Sequence, residues 1–84
     1  MNASHRKTLG AVFTDPVNGN IEWRKIESML KALGCEIIEG SGSRVAIVFG
    51  EMKATFHRPH PGKEALRYRV SAVRDFLKAI GVKP

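Results

Sequence analysis

The chain's most constraining feature is a pair of strand-like segments separated by two residues. In "RVAIVF", every second residue from Val45 to Phe49 is large and apolar, which is the period of a strand with one buried face. The "GE" that follows places glycine at the first central position of a two-residue hairpin turn, and "MKATF" comes next. These residues predict an antiparallel hairpin with strands near 44–49 and 52–57.

Segments on both sides of the hairpin complete an α-β-β-β-α order. "CEIIEG" is a short apolar run and predicts a strand near 36–40. The residues before it predict a helix over about 21–33 with Asn20 as N-cap, and the end of the chain predicts a helix over 71–80 with Ser71 as cap. Both helices show apolar residues three and four positions apart: Ile26, Met29, Leu30 and Leu33 in the first, and Val70, Val73, Leu77 and Ile80 in the second.

This element order predicts an α+β domain with a double-layered build: a three-stranded antiparallel sheet with two helices on one face. Eighty-four residues allow one domain, which we place at 21–84. Residues 1–20 show no sustained period and contain the turn-rich "TDPVNGN". They are therefore interpreted as an N-terminal extension that packs loosely or orders against a partner. Trp23 is predicted to be core or a hydrophobic cover rather than a base-stacking platform, and Cys35 to be a buried thiol.

The distribution of charge is more informative than its total. The net charge is +6, and residues 1–52 hold six basic and six acidic side chains, whereas residues 53–84 hold eight basic and two acidic. A basic half beside a neutral half predicts a surface for a polyanion, most commonly nucleic acid. The alternative is a basic surface kept for solubility. The N-terminus has no apolar leader and no run reaches membrane-spanning length, so a cytoplasmic protein without a membrane partner is expected.

The segment "FHRPHPGKE", residues 56–64, concentrates the residues that can carry chemistry. His57 and His60 have a spacing that two metal ligands can adopt, but no third ligand stands at a recognised spacing, and we predict no metal site. There is no Walker-type glycine-lysine motif. The prolines on either side of His60 stiffen the loop, so it is predicted to be a rigid basic loop after a strand. A solvated turn with incidental histidines is the alternative.

A second candidate is "EGSGSRV", where Gly40 and Gly42 permit close approach of a ligand and two serines add hydroxyl groups. An ordinary turn between strands is the alternative interpretation. No nucleophile motif is present, and Cys35 has no positively charged neighbours in the local sequence.

The amphipathic helix "IEWRKIESMLKALG", the glycine-serine turn before the second strand and "HRPHPGKE" before the last helix together resemble the HicA toxins of type II toxin–antitoxin systems. The resemblance covers about residues 21–81, and "HRPHPGKE" is its most specific part. It implies a double-stranded-RNA-binding-domain-like fold and an endoribonuclease (an mRNA interferase) that cuts mRNA without a metal or cofactor. It also implies a HicB-like antitoxin that masks the toxin, with operator DNA bound only indirectly, through the antitoxin.

The family's usual motif at the start of the second strand is Gly-Ser-His, and the matching residues here are Gly42, Ser43 and Arg44. The histidine regarded as catalytic in the family is therefore absent, whereas His60 matches the histidine of the family's other motif. On this resemblance, His60 is the expected proton donor or acceptor and His57 the alternate. The residues expected to bind RNA are Ser43, Arg44, Arg58, Lys63, Arg67 and Arg69.

Two other functions remain open at this point. A chain that lacks the family histidine can be a non-catalytic RNA-binding module of the same fold. A basic face can also serve a protein-interaction domain whose partner is acidic.

Overall fold

The computed structural model describes residues 1–60 and 62–84. These described residues form three helices and five strands in the order α1 (Ala3–Val12), β1 (Ile21–Glu22), α2 (Trp23–Ala32), β2 (Glu36–Glu39), β3 (Arg44–Phe49), β4 (Met52–His57), β5 (Glu64–Ala65) and α3 (Arg67–Ala79). The predicted α+β class, resembling a double-stranded-RNA-binding domain, is confirmed, with one helix and two short strands more than the sequence predicted.

The predicted hairpin forms the centre of the sheet. The strand order is β2-β3-β4, and both pairings are antiparallel. Val45 pairs with Phe56 and Ile47 with Ala54, and Val45, Ile47 and Phe56 are buried. This face of the sheet is covered by α2, which contacts β2, and by α3, which contacts β4. The other face carries mostly polar side chains together with the exposed Ile38, because successive residues of a strand point to opposite faces.

The core joins the sheet to all three helices. Sixteen apolar residues form one buried cluster. Its fully buried members with the largest side chains are Ile26, Met29, Leu30, Ile47, Leu77, Val12, Val45, Val70 and Val73. Trp23 is buried as predicted, and its ring packs at 5.5 Å, centroid to centroid, from the ring of Phe56. Cys35 is also buried, as predicted, and burial raises the pKa of its thiol.

The interpretation of residues 1–20 as a loosely packed extension is wrong. Residues 3–12 form α1, which begins where the side chain of Asn2 accepts a hydrogen bond from the backbone N–H of His5 at 2.8 Å. The helix packs against α2 and α3, and its Leu9 and Val12 join the core. Only one turn of α1 presents large apolar residues to the core, which explains why the sequence shows no sustained period. The division of the chain at residue 20 stays a prediction.

Arg74 of α3 forms hydrogen bonds with the backbone at the C-terminal end of α1. Its Nε donates to the carbonyl of Val12 at 3.0 Å and its Nη2 to the carbonyl of Thr14 at 2.7 Å. A salt bridge of 3.1 Å joins the same guanidinium to Asp15. Arg74 therefore satisfies backbone carbonyls that the end of a helix leaves without partners, and it links the two ends of the chain.

The predicted helix starts are wrong for both α2 and α3. Asn20 does not cap α2, because Ile21 and Glu22 are extended and pair with Ala65 and Glu64 in a separate two-stranded sheet. The helix begins at Trp23, whose backbone N–H donates to the carbonyl of Lys63 at 2.9 Å. A loop carbonyl thus takes the place of a side-chain cap.

The last helix, α3, begins one turn earlier than predicted, at Arg67, with Leu66 rather than Ser71 at its N-cap. It ends before Gly81, which has a positive φ of 84°, as the predicted glycine stop requires. None of the helices in the described part of the chain is long and apolar enough to cross a membrane.

Candidate functional site

The end of the β3–β4 ladder brings four of the predicted site residues together. Arg44, the first residue of β3, pairs with His57, the last residue of β4. The Oγ of Ser43 lies 3.5 Å from Nδ1 of His57, and the backbone N–H of Arg58 donates to the carbonyl of Ser43 at 2.8 Å. Arg44 and His57 are exposed on the face of the sheet that the helices leave open. A cation, a hydroxyl group and an imidazole are therefore held close together where β3 begins and β4 ends.

The turn before β3 explains the two glycines of the second candidate motif. The backbone N–H of Gly40 donates to the carbonyl of Arg44 at 2.8 Å, and a Cβ at Gly40 would lie 3.1 Å from that carbonyl oxygen. Gly42 has a φ of 63°, which other residues rarely adopt. Both glycines are thus needed by the turn itself, and Nη2 of Arg44 donates to Oγ of Ser41 in the same turn at 3.2 Å.

Arg58 is bound by two carboxylates of the chain. Its Nε and Nη2 donate to the carboxylate of Glu27 on α2 at 2.7 and 2.9 Å, and its Nη2 also donates to Glu39 on β2 at 2.8 Å. The paired guanidinium and carboxylates raise the pKa of Arg58 and hold the pKa of Glu39 below its usual range. The carboxylate of Glu27 accepts the indole N–H of Trp23 as well. Arg58 therefore has its donors directed to Glu27 and Glu39 rather than to solvent.

The other end of the loop is also attached to α2. The backbone carbonyl of Lys63 accepts a hydrogen bond from the backbone N–H of Trp23 at 2.9 Å. The side-chain Nζ of Lys63 lies 3.4 Å from a carboxylate oxygen of Glu22. The hydrogen bond from Lys63 lowers the pKa of Glu22. Arg58 and Lys63, on either side of the loop between β4 and β5, are thus both bonded to residues of α2. Pro59 is half-buried, and Pro61, the second proline predicted to stiffen the loop, lies outside the described residues.

His60 and His57 border different shallow clefts. The cleft beside His57 lies between the end of β4 and α3, and the cleft beside His60 lies between the loop and the start of α3. Tyr68 and Arg69 line both clefts. His60 is exposed on the loop, whereas His57 is part of a strand, so His57 has the more firmly fixed backbone.

Of the remaining predicted RNA-binding residues, Arg69 lines both clefts and Arg67 lines neither. Arg67 is exposed in the first turn of α3, and Arg69 is half-buried one residue beyond Tyr68. Among residues 1–60 and 62–84, no three histidine, cysteine or carboxylate side chains converge to hold a metal ion.

Two features of the site were missed by sequence reasoning. Glu27 and Glu39 are distant from Arg58 along the chain, and no local pattern indicates that their carboxylates meet its guanidinium. Tyr68 stands between two arginines in "RYR", a pattern in which basic residues flank an aromatic one and which was available as a signal.

One comparison with known proteins gives a match. The family model described as HicA toxin of bacterial toxin-antitoxin matches residues 23–82. The chain belongs to the HicA toxin family. It is accordingly the toxin of a toxin–antitoxin system, and an antitoxin is its partner. No curated protein and no solved structure matches the chain.

The HicA match covers the chain from the first residue of α2 to just beyond α3. Ser43, Arg44, His57 and the loop that carries His60 all lie within it, whereas α1 lies before it. In this HicA toxin, α1 is thus an element added to the matched region, and it contributes Leu9 and Val12 to the common core.

Proposed function

We propose that this HicA toxin is an endoribonuclease that cleaves mRNA and so inhibits translation, and that a HicB-type antitoxin neutralises it. The observation that carries the proposal is the pairing of Arg44 with His57 at the open end of the β3–β4 ladder, with Ser43 against the imidazole. Where the family's usual motif supplies a histidine on β3, this chain supplies an arginine and carries an imidazole on the neighbouring strand.

Cleavage of RNA by transesterification needs three groups. A base takes the proton of the 2′-hydroxyl, donors stabilise the charge on the phosphorane, and an acid protonates the leaving 5′-oxygen. Histidine suits either proton transfer, and arginine suits the charged oxygens. His57 and His60 are the proposed proton-transfer residues, and Arg44 and Lys63 are the proposed phosphate-binding residues. None of these steps calls for a metal or cofactor.

The order of the two histidines follows from their surroundings. Ser43 approaches Nδ1 of His57, so Nε2 is the nitrogen proposed to meet the RNA. His57 is therefore the proposed base that accepts the 2′-hydroxyl proton, and His60, on the exposed loop, is the proposed acid at the leaving oxygen. Arg58 is not a proposed phosphate ligand, because its guanidinium is bound to Glu27 and Glu39. It positions the loop instead.

The decisive experiment follows cleavage of a labelled mRNA by the purified chain in EDTA. Wild-type protein is expected to produce fragments. His57→Ala and His60→Ala are each expected to lower the rate by about 10²–10⁴-fold, the usual contribution of a positioned proton-transfer group. His5→Gln is the matched control, because His5 lies on α1 and hydrogen-bonds Ser28, away from the proposed site. Cleavage that survives both alanine substitutions would exclude these histidines from the chemistry.

The non-catalytic alternative gives a different pattern in the same assay. An RNA-binding module would retain labelled mRNA in a filter-binding measurement but leave it intact. A basic protein-interaction domain would neither bind nor cut it, and would bind only the antitoxin. Growth arrest on expression, relieved by co-expression of a HicB-type antitoxin, tests the antitoxin part of the proposal separately. The antitoxin is expected to cover residues 57–69.

A further inference from the structure

Tyr68 is the most exposed large aromatic or aliphatic side chain in the described part of the chain. It is 63% exposed, and the preceding Leu66 is 53% exposed. Both lie at the start of α3, whose later apolar residues Val70 and Val73 are fully buried. Packing in the core therefore does not explain the aromatic residue at position 68. An exposed aromatic side chain beside charged residues is a common contact for a ligand.

Arg69 lies over the ring of Tyr68. The central carbon of its guanidinium is 4.9 Å from the ring centroid, within the distance of a cation–π interaction. This contact restricts the orientation of the ring, yet most of the side chain remains accessible. A ring held in place by a cation is a preorganised surface for a second planar group.

The position of this pair relative to the two histidines is informative. Tyr68 and Arg69 line the cleft that contains His57 and also the cleft that contains His60. They therefore form a ridge between the two proposed proton-transfer residues. A nucleotide with its phosphate near either histidine would have its base within reach of the ridge.

We propose that Tyr68, with Arg69, is a stacking site for one unpaired nucleobase of single-stranded RNA, next to the phosphate to be cut. The inference rests on the proposed function, and it adds a base-contacting site to it. Aromatic side chains stack on any base, and a basic groove holds the strand. The site therefore selects for an unpaired base rather than for one base identity.

The test is a double-mutant cycle. One change removes the tyrosine ring from the protein, and the other removes one nucleobase from the RNA. The ligands are a short 2′-O-methyl oligoribonucleotide, which this mechanism does not cleave, and a series of copies with one abasic position each. Affinity is measured for the wild-type chain and for Tyr68→Ala. Tyr68→Phe keeps the ring, and Tyr68→Leu keeps apolar bulk without it. Circular dichroism of each variant checks that the fold is retained.

Stacking predicts that Tyr68→Ala and Tyr68→Leu weaken binding of the intact oligonucleotide by about 5- to 150-fold, and that Tyr68→Phe changes it less than about twofold. One abasic position should cost the wild-type chain a similar factor and cost Tyr68→Ala almost nothing. The proposal would be overturned if every abasic position weakened binding by the same factor in Tyr68→Ala as in the wild-type chain. Unchanged affinity of Tyr68→Ala would overturn it too.

The remaining outcomes separate this inference from the proposed function. If Tyr68→Ala cleaves and binds RNA normally but loses affinity for the antitoxin, the ridge is a protein contact, and the stacking site is wrong while the ribonuclease stands. If the wild-type chain binds none of the oligonucleotides and leaves mRNA intact, the stacking site and the proposed function are both wrong.

Discussion

The Nε of Arg58 donates a hydrogen bond to Glu27 at 2.7 Å across 31 residues of the chain. Glu27 belongs to α2, and Arg58 is the first residue after β4. Since the backbone N–H of Arg58 also bonds Ser43, this single residue connects the helix, the turn before β3 and the loop that carries His60. Its role in the proposed site is consequently to position groups that touch RNA.

Arg58→Ala is expected to lower the free energy of unfolding by about 1–2 kcal/mol, because it leaves the carboxylate of Glu27 without its charged donor. Arg58→Lys keeps the positive charge but not the planar fork, and it should recover only part of the loss. Arg67→Ala removes an exposed arginine and serves as the control, with a change within about 0.5 kcal/mol. Urea denaturation measures all three. Equal stabilities for Arg58→Ala and Arg67→Ala would contradict the positioning role.

Acid is expected to destabilise the fold through Glu39 and Glu22. Hydrogen bonds from Arg58 and Lys63 lower the pKa of these two carboxyl groups from the ordinary value of 4.5. A lowered folded-state pKa means that the stabilisation is present above pH 4.5 and is lost as the pH falls through the folded-state value. Urea denaturation between about pH 7 and about pH 3 should show this loss. Glu39→Gln should lose less stability than the wild type over the same pH interval. If the two proteins show the same dependence of stability on pH, the contact between Glu39 and Arg58 does not contribute.

Leu9→Ala should destabilise the domain by about 2–4 kcal/mol, the usual cost of truncating a buried leucine. The reason is that Leu9 is only 5% exposed and belongs to the common core. Lys7→Ala, also on α1 but exposed, is the matched control with little expected effect. Thermal unfolding followed by circular dichroism gives the comparison. If Leu9→Ala unfolds like the wild type, α1 is not an integral part of the fold.

Cys35 should react slowly with a thiol reagent such as iodoacetamide at neutral pH. Its side chain is buried and its pKa is raised by that burial, so the reactive thiolate is both scarce and inaccessible. Denaturing urea should speed the modification by about 100-fold or more, since the reagent then reaches the thiol without waiting for the fold to open. Mass spectrometry over time measures the two rates, and similar rates would mean that the thiol is accessible in the fold.

RNA affinity should fall steeply with salt, because cationic side chains that bind phosphates release counterions. Arg44→Ala and Arg67→Ala should each reduce the slope of log affinity against log salt by about 1. Lys83→Ala, which removes an equal charge outside the matched region, should leave the slope unchanged. Filter binding at several salt concentrations provides the slopes. A salt-independent affinity would rule out phosphate contacts as the source of binding.

Local periodicity predicted much of this fold. Alternation in "RVAIVF" placed β3 at 44–49, as observed, because one buried face leaves a direct record in the sequence. The two-residue strands β1 and β5 are too short to show a periodic pattern. Because β1 occupies residues 21 and 22, α2 begins at Trp23 rather than at the predicted residue 21. The first helix was missed for a related reason, since the apolar residues of α1 are concentrated in its second half.

The candidate site was predictable only in part. The segment "HRPHPGKE" indicated the loop. The position of the hairpin turn fixes the register of β3 and β4, and this register places His57 opposite Arg44. The partners of Arg58 come from two other elements, so no spacing along the chain encodes them. The exposure of Tyr68 depends on which face of α3 packs on the sheet, and that is a tertiary property.

The bonds from Arg74 to the carbonyls of Val12 and Thr14 bear on when the fold is completed during synthesis of the chain. Contacts between residues so far apart in sequence close late. As the chain leaves the ribosome, α1, α2 and the sheet emerge before α3 can cover them, and the core stays open until Arg74 arrives. The fold is therefore completed only when α3 is available, and a chain that ends before Arg74 is expected to leave the apolar faces of α1, α2 and the sheet exposed.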